Sequence, residues 1–335
     1  MSNSAFENWY PIAFSYDIKP NKIYSLSLLN EPLILYRDKE NKIACLQNRC
    51  PHRSTPLSLG RLNNGAIECM YHGWQFNRDG DCIKIPALRK NDGFPPNACV
   101  PNKMIIEKHN IVWVYSRQDA PANIHKEYDD IFAYANQSTT RFDYSTDLDI
   151  PHELMIENLL DPSHLPFAHH GTLSNRKKAA PIAFEVKKLG NTIDGVATVC
   201  SSKANKTIDF HFMGPHTVYF DIEFNNKGMR QIHYCIPLTK QKMRLISVFF
   251  YKNMPWLQWI PFIKLIQKKM SKKIVYQDIA MLTGQDDNIR LGAKPWNQAI
   301  NADKLAYIYR QWLDKELKNK SPWFKGFDQC SARKK

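Results

Sequence analysis

No apolar run in this 335-residue chain reaches the roughly 18–20 residues that a membrane-spanning helix needs. The opening residues, MSNSAFENWYPIAF, lack a basic stretch followed by an apolar core, so a cleaved secretory signal is not expected. There is no Cys-x-x-Cys pair, which removes the usual zinc-knuckle ligand spacing. There is no Gly-rich fingerprint after a strand, which removes a Rossmann-type dinucleotide site. No basic-aromatic motif or nucleic-acid module occurs, so a nucleic-acid partner is not expected despite the charge. Neither an internal repeat nor a low-complexity tract is present.

What remains is an ordinary globular composition. Apolar residues make up 43%, and the length allows two domains with sizeable cores. Of the eight cysteines, Cys50 and Cys69 sit in a motif described below. Cys45, Cys82, Cys99, Cys200, Cys235 and Cys330 are scattered without paired spacing, which points to a reducing, cytoplasmic compartment. Net charge is +14, from 46 basic against 32 acidic residues. Such a surface either serves solubility alone or attracts acidic partners, electron-transfer proteins and anionic lipid headgroups among them.

The chain is organised around CPHRSTPLSLGRLNNGAIECMYHGW. Cys50 and His52 form a Cys-x-His pair, and Cys69 and His72 form a Cys-x-x-His pair. Two thiolates and two imidazoles suit either a structural zinc or a two-iron cluster with cysteines on one iron and histidines on the other. The flanks favour the cluster. Pro51 stiffens the first loop, Gly73 lets the backbone pass close to a bulky group, and Trp74 and Phe76 offer cover from water. The stretch resembles the Rieske iron–sulfur domain, whose paired ligands and YHGW flank it reproduces; Met70, where proline is common, is a departure.

Around this motif the pattern is that of a small all-β domain spanning 1–118. PLILY and IACLQ flank the turn RDKENK, a hairpin turns at Arg78–Asp81, and another centres on Lys108–Asn110. QDAPANIHKEYDD reads as a polar linker. Residues 119–335 then read as an α+β domain. RFDYSTDLDI is extended, IPHELMIENLLDPSHLPFAHHG is helix, break and further turn, and Phe184–Lys252 is a run of strands with turns at Leu189–Asn191 and Asn225–Gly228. A long helix beginning near Pro255 and a last helix over Ala302–Asn319 follow. This predicts one broad antiparallel sheet with helices segregated to a face, of helix-grip type.

A second cluster of ligand-type residues lies in ENLLDPSHLPFAH. His164 and His169 would diverge by roughly 140° on one ideal helix, but Pro166 between them breaks it and lets His169 swing back. Two imidazoles and one carboxylate would form a facial triad for Fe(II). On the long helix Ile266, Met270, Ile274, Asp278 and Leu282 recur at i+4 spacing, which puts Asp278 in a core slot where an unpaired carboxylate is costly. Asp286 and Asp287 read as solvated. Asp278 is therefore the expected third ligand.

With these residues the resemblance extends over nearly the whole chain, to the Rieske non-haem iron oxygenases. Asn158, Asp161, His164 and His169 match the signature NxxDxxHxxxxH, with His170 an adjacent rival to His169 as ligand. The resemblance implies a mononuclear Fe(II) held by His164, His169 and Asp278. It also implies that Asp161 bridges a cluster histidine of one subunit to an iron-ligand histidine of its neighbour, in a head-to-tail homotrimer. Asp161 ahead of Pro162 is equally a helix cap, and Asn158 is either a buried amide or a support for the site.

By the same resemblance, electrons come from a ferredoxin or an NAD(P)H-dependent reductase, and O2 is used to oxygenate a bulky aromatic. The wording PSHLPFAHHGTLSNRKKAAPI is most similar to the pheophorbide a and chlorophyllide a oxygenase branch, so a chlorophyll-type tetrapyrrole such as pheophorbide a is the expected substrate. The alternatives are a monooxygenase or O-demethylase of a non-tetrapyrrole aromatic, or a non-catalytic redox component. Plant members of that branch often carry C-terminal membrane helices and a Cys-x-x-Cys pair. This chain has neither, which suggests a soluble or peripheral bacterial form. MPWLQWIPFIKLIQKKM either packs on its own domain or rests on a membrane surface.

Overall fold

The computed structural model describes residues 5–117, 126–135, 139–200, 206–224, 227–319 and 322–323. The chain divides into two compact units, one of Glu7–Ile124 with Pro322–Lys335, the other of Met1–Phe6 with His125–Ser321. The division falls between Ile124 and His125. It and the expected boundary after residue 118 both lie in a stretch outside the described residues.

Among the described residues the first unit has ten short strands: β1 (Trp9–Phe14), β2 (Tyr24–Leu28), β3 (Glu31–Arg37), β4 (Ile43–Gln47), β5 (Arg61–Asn63), β6 (Ala66–Glu68), β7 (Gln75–Phe76), β8 (Cys82–Lys84), β9 (Ile105–Lys108) and β10 (Ile111–Tyr115). They form three antiparallel sheets in the orders β1-β10-β9, β2-β3-β4 and β5-β6-β7-β8. The continuous apolar runs of β3 and β4 are buried on both faces, as such runs require. Ile34, Tyr36, Leu46, Leu57, Ile67, Phe76 and Val100 make a core that also encloses Cys50 and Cys69. At the β7–β8 turn Gly80 has φ +85°, and a Cβ there would stand 1.9 Å from the Val100 carbonyl, so only glycine fits. Cys99 is disulfide-bonded rather than free. Sequence spacing gave no sign of that pairing.

The second unit holds α1 (Lys126–Phe132), β11 (Thr139–Leu148), α2 (His152–Leu159), α3 (Leu165–Ala168), β12 (Ile182–Leu189), β13 (Thr192–Val199), β14 (Lys206–Met213), β15 (Thr217–Phe224), β16 (Lys227–Thr239), β17 (Lys242–Lys252), α4 (Ile263–Arg290) and α5 (Lys304–Asn319). Its seven described strands form one antiparallel sheet in the order β11-β17-β16-β15-β14-β13-β12. One cross-strand row runs Phe142, Phe249, Gln231, Phe220, Phe210, Gly195. That face carries α4, through Ile263 and Val275 on Phe142, Tyr144 and Phe249, and α5, whose Leu305 lies over Gly195. The helices are not all on it. Phe132 of α1 packs edge-on against Phe250, whose side chain points to the opposite face. The expected polar linker therefore contains a helix: Tyr128, Ile131 and Phe132 recur at helical spacing and are buried, with the charged residues between them outward.

The long helix also differs from expectation at its start. Residues Pro255–Trp259 form a 3-10 turn, Phe262 takes a left-handed φ of 58°, and α4 begins only at Ile263. An i+4 series drifts by about 40° per step, so Ile266 and Asp278, three steps apart, point about 120° apart. Ile266 and Met270 are half exposed, while Ser271, Asp278, Leu282 and Asp286 face inward. Asp286, expected to be solvated, is buried and pairs with Arg290 one turn on. No helix among the described residues is long and apolar enough to cross a membrane.

Candidate metal centres

In the first unit the loop from β4 to β5 carries Cys50 and His52, and the loop from β6 to β7 carries Cys69 and His72. Each loop is closed by backbone bonds around its cysteine. Cys50 N–H donates to Thr55 O and Ser54 N–H to Cys50 O, both at 2.9 Å; Cys69 N–H donates to Trp74 O at 2.8 Å and Gly73 N–H to Cys69 O at 3.0 Å. Gly73 has φ +70°, and a Cβ would crowd Pro86 Cγ at 3.0 Å, so glycine is required for the turn itself. The two thiols are buried, each 2% exposed. Burial pushes the Cys50 thiol up, and the adjacent Cys69 sulfur adds to this, while backbone N–H groups of His52 and Arg53 donate to the Cys50 sulfur and pull the other way. A coordinated thiol is deprotonated outright, and those N–H donors are placed for the resulting thiolate.

The imidazoles lie at the exposed end, His52 and His72 edge to face with ring centroids 4.5 Å apart. Trp74 stacks on His52 at 4.7 Å and Tyr71 leans on His72 at 4.0 Å. Trp74 thus orients the His52 ring, and Phe76 is wholly buried in the core. Buried sulfur on one side and accessible imidazole on the other fits a cluster that exchanges electrons through its histidine side.

In the second unit the chain reverses in a few residues after α2. Asp161 caps the next turn, its Oδ1 accepting from Ser163 N–H at 2.7 Å and from Ser163 Oγ at 2.5 Å, with Pro162 at the first position. His164 ends that turn, Pro166 is the second residue of α3, and His169 caps its C-terminal end. The reversal brings His164 and His169 to ring centroids 5.2 Å apart. Asp278, from the buried face of α4, completes the group: its Oδ1 is 3.6 Å from His164 Nε2 and 3.2 Å from His169 Nε2. The three donor atoms lie within 4.8 Å of one another.

Both imidazoles are held from behind. His164 Nδ1 meets the Asp161 backbone carbonyl at 2.5 Å, and His169 Nδ1 meets Gln277 Oε1 at 3.1 Å; Gln277 Oε1 also accepts from Thr172 Oγ at 2.9 Å. A proton fixed on Nδ1 leaves the Nε2 lone pair facing Asp278 in each ring. Burial disfavours charge on His169, yet Asp278 and Gln277 hold its imidazole above its ordinary value. Asp278 Oδ1 is buried and, although close to His169, has no partner in hydrogen-bond geometry among the described residues. Two imidazoles and such a carboxylate form the donor set that fits Fe(II) with positions left open.

His170 is exposed, and its Nδ1 accepts from Arg176 N–H at 3.3 Å, so it stands outside the group. The Asp161 carboxylate is not bound to His164: Oδ2 is 3.9 Å from His164 Nδ1, and the contact is made by the main-chain carbonyl instead. Asn158 is half-buried on α2, and its carbonyl accepts from Asp161 N–H at 3.1 Å. Gln277 and Thr172 belong to no motif of the sequence. The only sequence signal was a polar residue next to Asp278 on a helix whose neighbouring face is buried.

These two sites, on an all-β unit followed by a helix-covered antiparallel sheet, define a class. Residues 8–102 match the Rieske [2Fe-2S] domain and residues 148–319 the vanillate O-demethylase oxygenase C-terminal domain. The chain belongs to the Rieske oxygenase family. Among its relatives is chlorophyllide a oxygenase, chloroplastic, of Oryza sativa subsp. japonica, 28% identical over 93% of this chain and 57% of that protein. Pheophorbide a oxygenase, chloroplastic, of the same plant is 28% identical over 95% of this chain and 66% of that protein. The chain thus spans only between about half and two thirds of the length of these relatives. Among solved structures, dicamba monooxygenase bound to 3,6-dichlorosalicylic acid shares the fold, with a TM-score of 0.77 at 19% identity over 95% of this chain and 99% of that one.

Proposed function

We propose that this chain is an O2-dependent oxygenase with two iron centres, acting on a bulky aromatic and most specifically on a chlorophyll-type tetrapyrrole such as pheophorbide a. The observation that carries it is the convergence of His164, His169 and Asp278, with both imidazoles fixed so that Nε2 faces the carboxylate. Cys50, His52, Cys69 and His72 would hold the [2Fe-2S] cluster, and His164, His169 and Asp278 the mononuclear Fe(II). Once bound, the cluster supplies electrons one at a time and the Fe(II) a place for O2 beside substrate. The chain's own residues exclude water from the sulfurs, fix the imidazole tautomers and keep the carboxylate buried.

Electrons would come from a ferredoxin or a separate NAD(P)H-dependent reductase, for which the charge of +14 favours an acidic donor. A homotrimer is the proposed assembly. Asp161 Oδ1 is used in the local cap, which leaves Oδ2 for a histidine of a neighbouring subunit. Asn158 would support that loop through its carbonyl. Both relatives above are named as chloroplastic, so the proposed location is wherever chlorophyll-type pigments are handled, in place of the general cytoplasmic one expected from the cysteines. Oxygenation or O-demethylation of a simpler aromatic is the second reading, favoured by the match of residues 148–319 to a vanillate O-demethylase domain.

The test is reductant-driven O2 consumption with pheophorbide a and with simple aromatic acids, for the wild type, His164→Ala and Asp278→Ala. Oxygenated tetrapyrrole from the wild type, abolished in both variants at unchanged cluster absorption, is expected. Equal turnover in the variants would remove the site assignment, and turnover of aromatic acids alone would favour the second reading.

A further inference from the structure

The start of α4 and the turn before it present an apolar surface that the second unit does not cover. Trp256, Trp259, Phe262, Leu265, Ile266 and Met270 are between 51 and 81% exposed, where a segment packed on its own domain would be buried. Ile266 and Met270 are one turn apart on α4, just after Phe262 at its N-cap, and Trp256 and Trp259 are one 3-10 turn apart on a common side. Soluble surfaces rarely leave so many large side chains together.

Charge says what would cover them. Lys264, Lys268, Lys269, Lys272 and Lys273 all lie on the first turns of α4, all exposed. From Arg244 to Gln277 the chain has no Asp or Glu at all. Lys272 lies over the Tyr276 ring at 5.4 Å. Tryptophan and phenylalanine beside exposed lysines form the pattern of a segment that lies in a lipid headgroup layer, rings inserted and ammonium groups on lipid phosphates. A second copy meeting it by the same face would bring the same five lysines against these.

We infer that Pro255–Lys273 docks on an anionic lipid bilayer, with Trp256, Trp259, Phe262, Ile266 and Met270 inserted and the five lysines on headgroup phosphates. The same helix then leads inward. Asp278 is sixteen residues beyond Phe262, about 24 Å along the axis, and the helix face turns from lipid to protein over that length. A bilayer-dissolved aromatic would thus meet the end of the element that carries a proposed iron ligand. This last consequence rests on the proposed oxygenase reading; lipid docking does not, and the two fail separately.

The full-length, cluster-bearing protein is sedimented with vesicles of phosphatidylcholine alone or mixed with phosphatidylglycerol. Binding is expected on the mixed vesicles, weakening as salt is raised. Combined Lys264→Glu, Lys268→Glu and Lys269→Glu should weaken it by roughly tenfold or more. Trp259→Ser with Phe262→Ser should abolish it even at low salt, with cluster absorption unchanged as the check on folding. Equal binding to both vesicle types, no binding to either, or variants that bind like the wild type would overturn the inference. So would variants that dissociate an oligomer in vesicle-free ultracentrifugation while the wild type ignores vesicles, for the face would then be a subunit contact.

Discussion

Replacing Gln277 by leucine should weaken ferrous binding without touching any proposed ligand. Its Oε1 takes two hydrogen bonds, from His169 Nδ1 at 3.1 Å and Thr172 Oγ at 2.9 Å. Leucine keeps most of the volume and offers no acceptor. The His169 side chain is only 2% exposed, so its N–H cannot turn to water, and a buried unpaired donor costs about 1–3 kcal/mol. The ring can relieve that cost by moving its proton to Nε2, which consumes the lone pair aimed at the Asp278 carboxylate. Either route penalises the metal-bound state, and loss of such a supporting bond typically lowers metal affinity about 10–100-fold, or about 1.4–2.7 kcal/mol. An anaerobic competition titration of cluster-loaded protein against a coloured ferrous chelator measures it directly. Gln277→Glu, which keeps the acceptor, should bind at least as tightly as the wild type. A folded Gln277→Leu variant with wild-type affinity would refute the reasoning, since the hydrogen bond would then contribute nothing to the presentation of Nε2.

Other perturbations have equally definite outcomes. His72→Cys should retain a cluster but lower its potential by on the order of 100 mV or more, read by redox titration of its EPR signal; an unchanged potential would remove His72 from the ligands. His233, buried against Ser247 and Gln231, is pulled by burial down to about 3. The unfolded chain therefore takes up a proton below about pH 6.5 that the folded chain refuses until near pH 3, and this group removes stability as pH falls, by about 2 kcal/mol at pH 5. His233→Gln should lose that dependence in urea unfolding at pH 7.5 and 5, and identical slopes for the two proteins would contradict it. Arg310→Ala strands the buried Glu157 carboxylate that Arg310 pairs with, and should cost about 3–5 kcal/mol of unfolding free energy, a loss below 1 kcal/mol being the contrary result.

The proposed cluster ligands were legible because all four sit in two short loops, each with its own spacing and flanks. Proline and capping signals likewise foretold the reversal that brings His164 and His169 together. The burial of Asp278 is legible in the sequence, but not from the apolar series that points to it. Its slot is buried, but the apolar series leading to it begins on the exposed side, because steps of four overshoot the helical repeat. His169 and His170 are told apart by a helix end that buries one and exposes the other, which no count of residues reveals. Gln277 was invisible for a different reason: its partners are more than a hundred positions away, and only the packing of α4 on the sheet sets the register that joins them. Asp286 shows the reverse error. Its partner Arg290 is at i+4, so the pairing was local and readable, but nearness to the helix end suggested exposure.

The two sites are of unlike kinds. At the first, sulfur is buried and imidazole exposed, so in the proposed cluster electrons would enter through the histidines. At the second, the two ends of α3 and the buried face of α4 bring two imidazoles and one carboxylate close enough for a single ion, and the proposed Fe(II) would keep other positions for small molecules. An enzyme that must receive single electrons and deliver them to O2 beside an organic substrate requires both.

The most direct test is the metal content of the full-length protein isolated without oxygen. About three iron atoms and two acid-labile sulfides per chain are predicted, with Asp278→Ala losing one iron and no sulfide. Zinc in place of iron, or an iron count in Asp278→Ala equal to that of the wild type, would contradict the account.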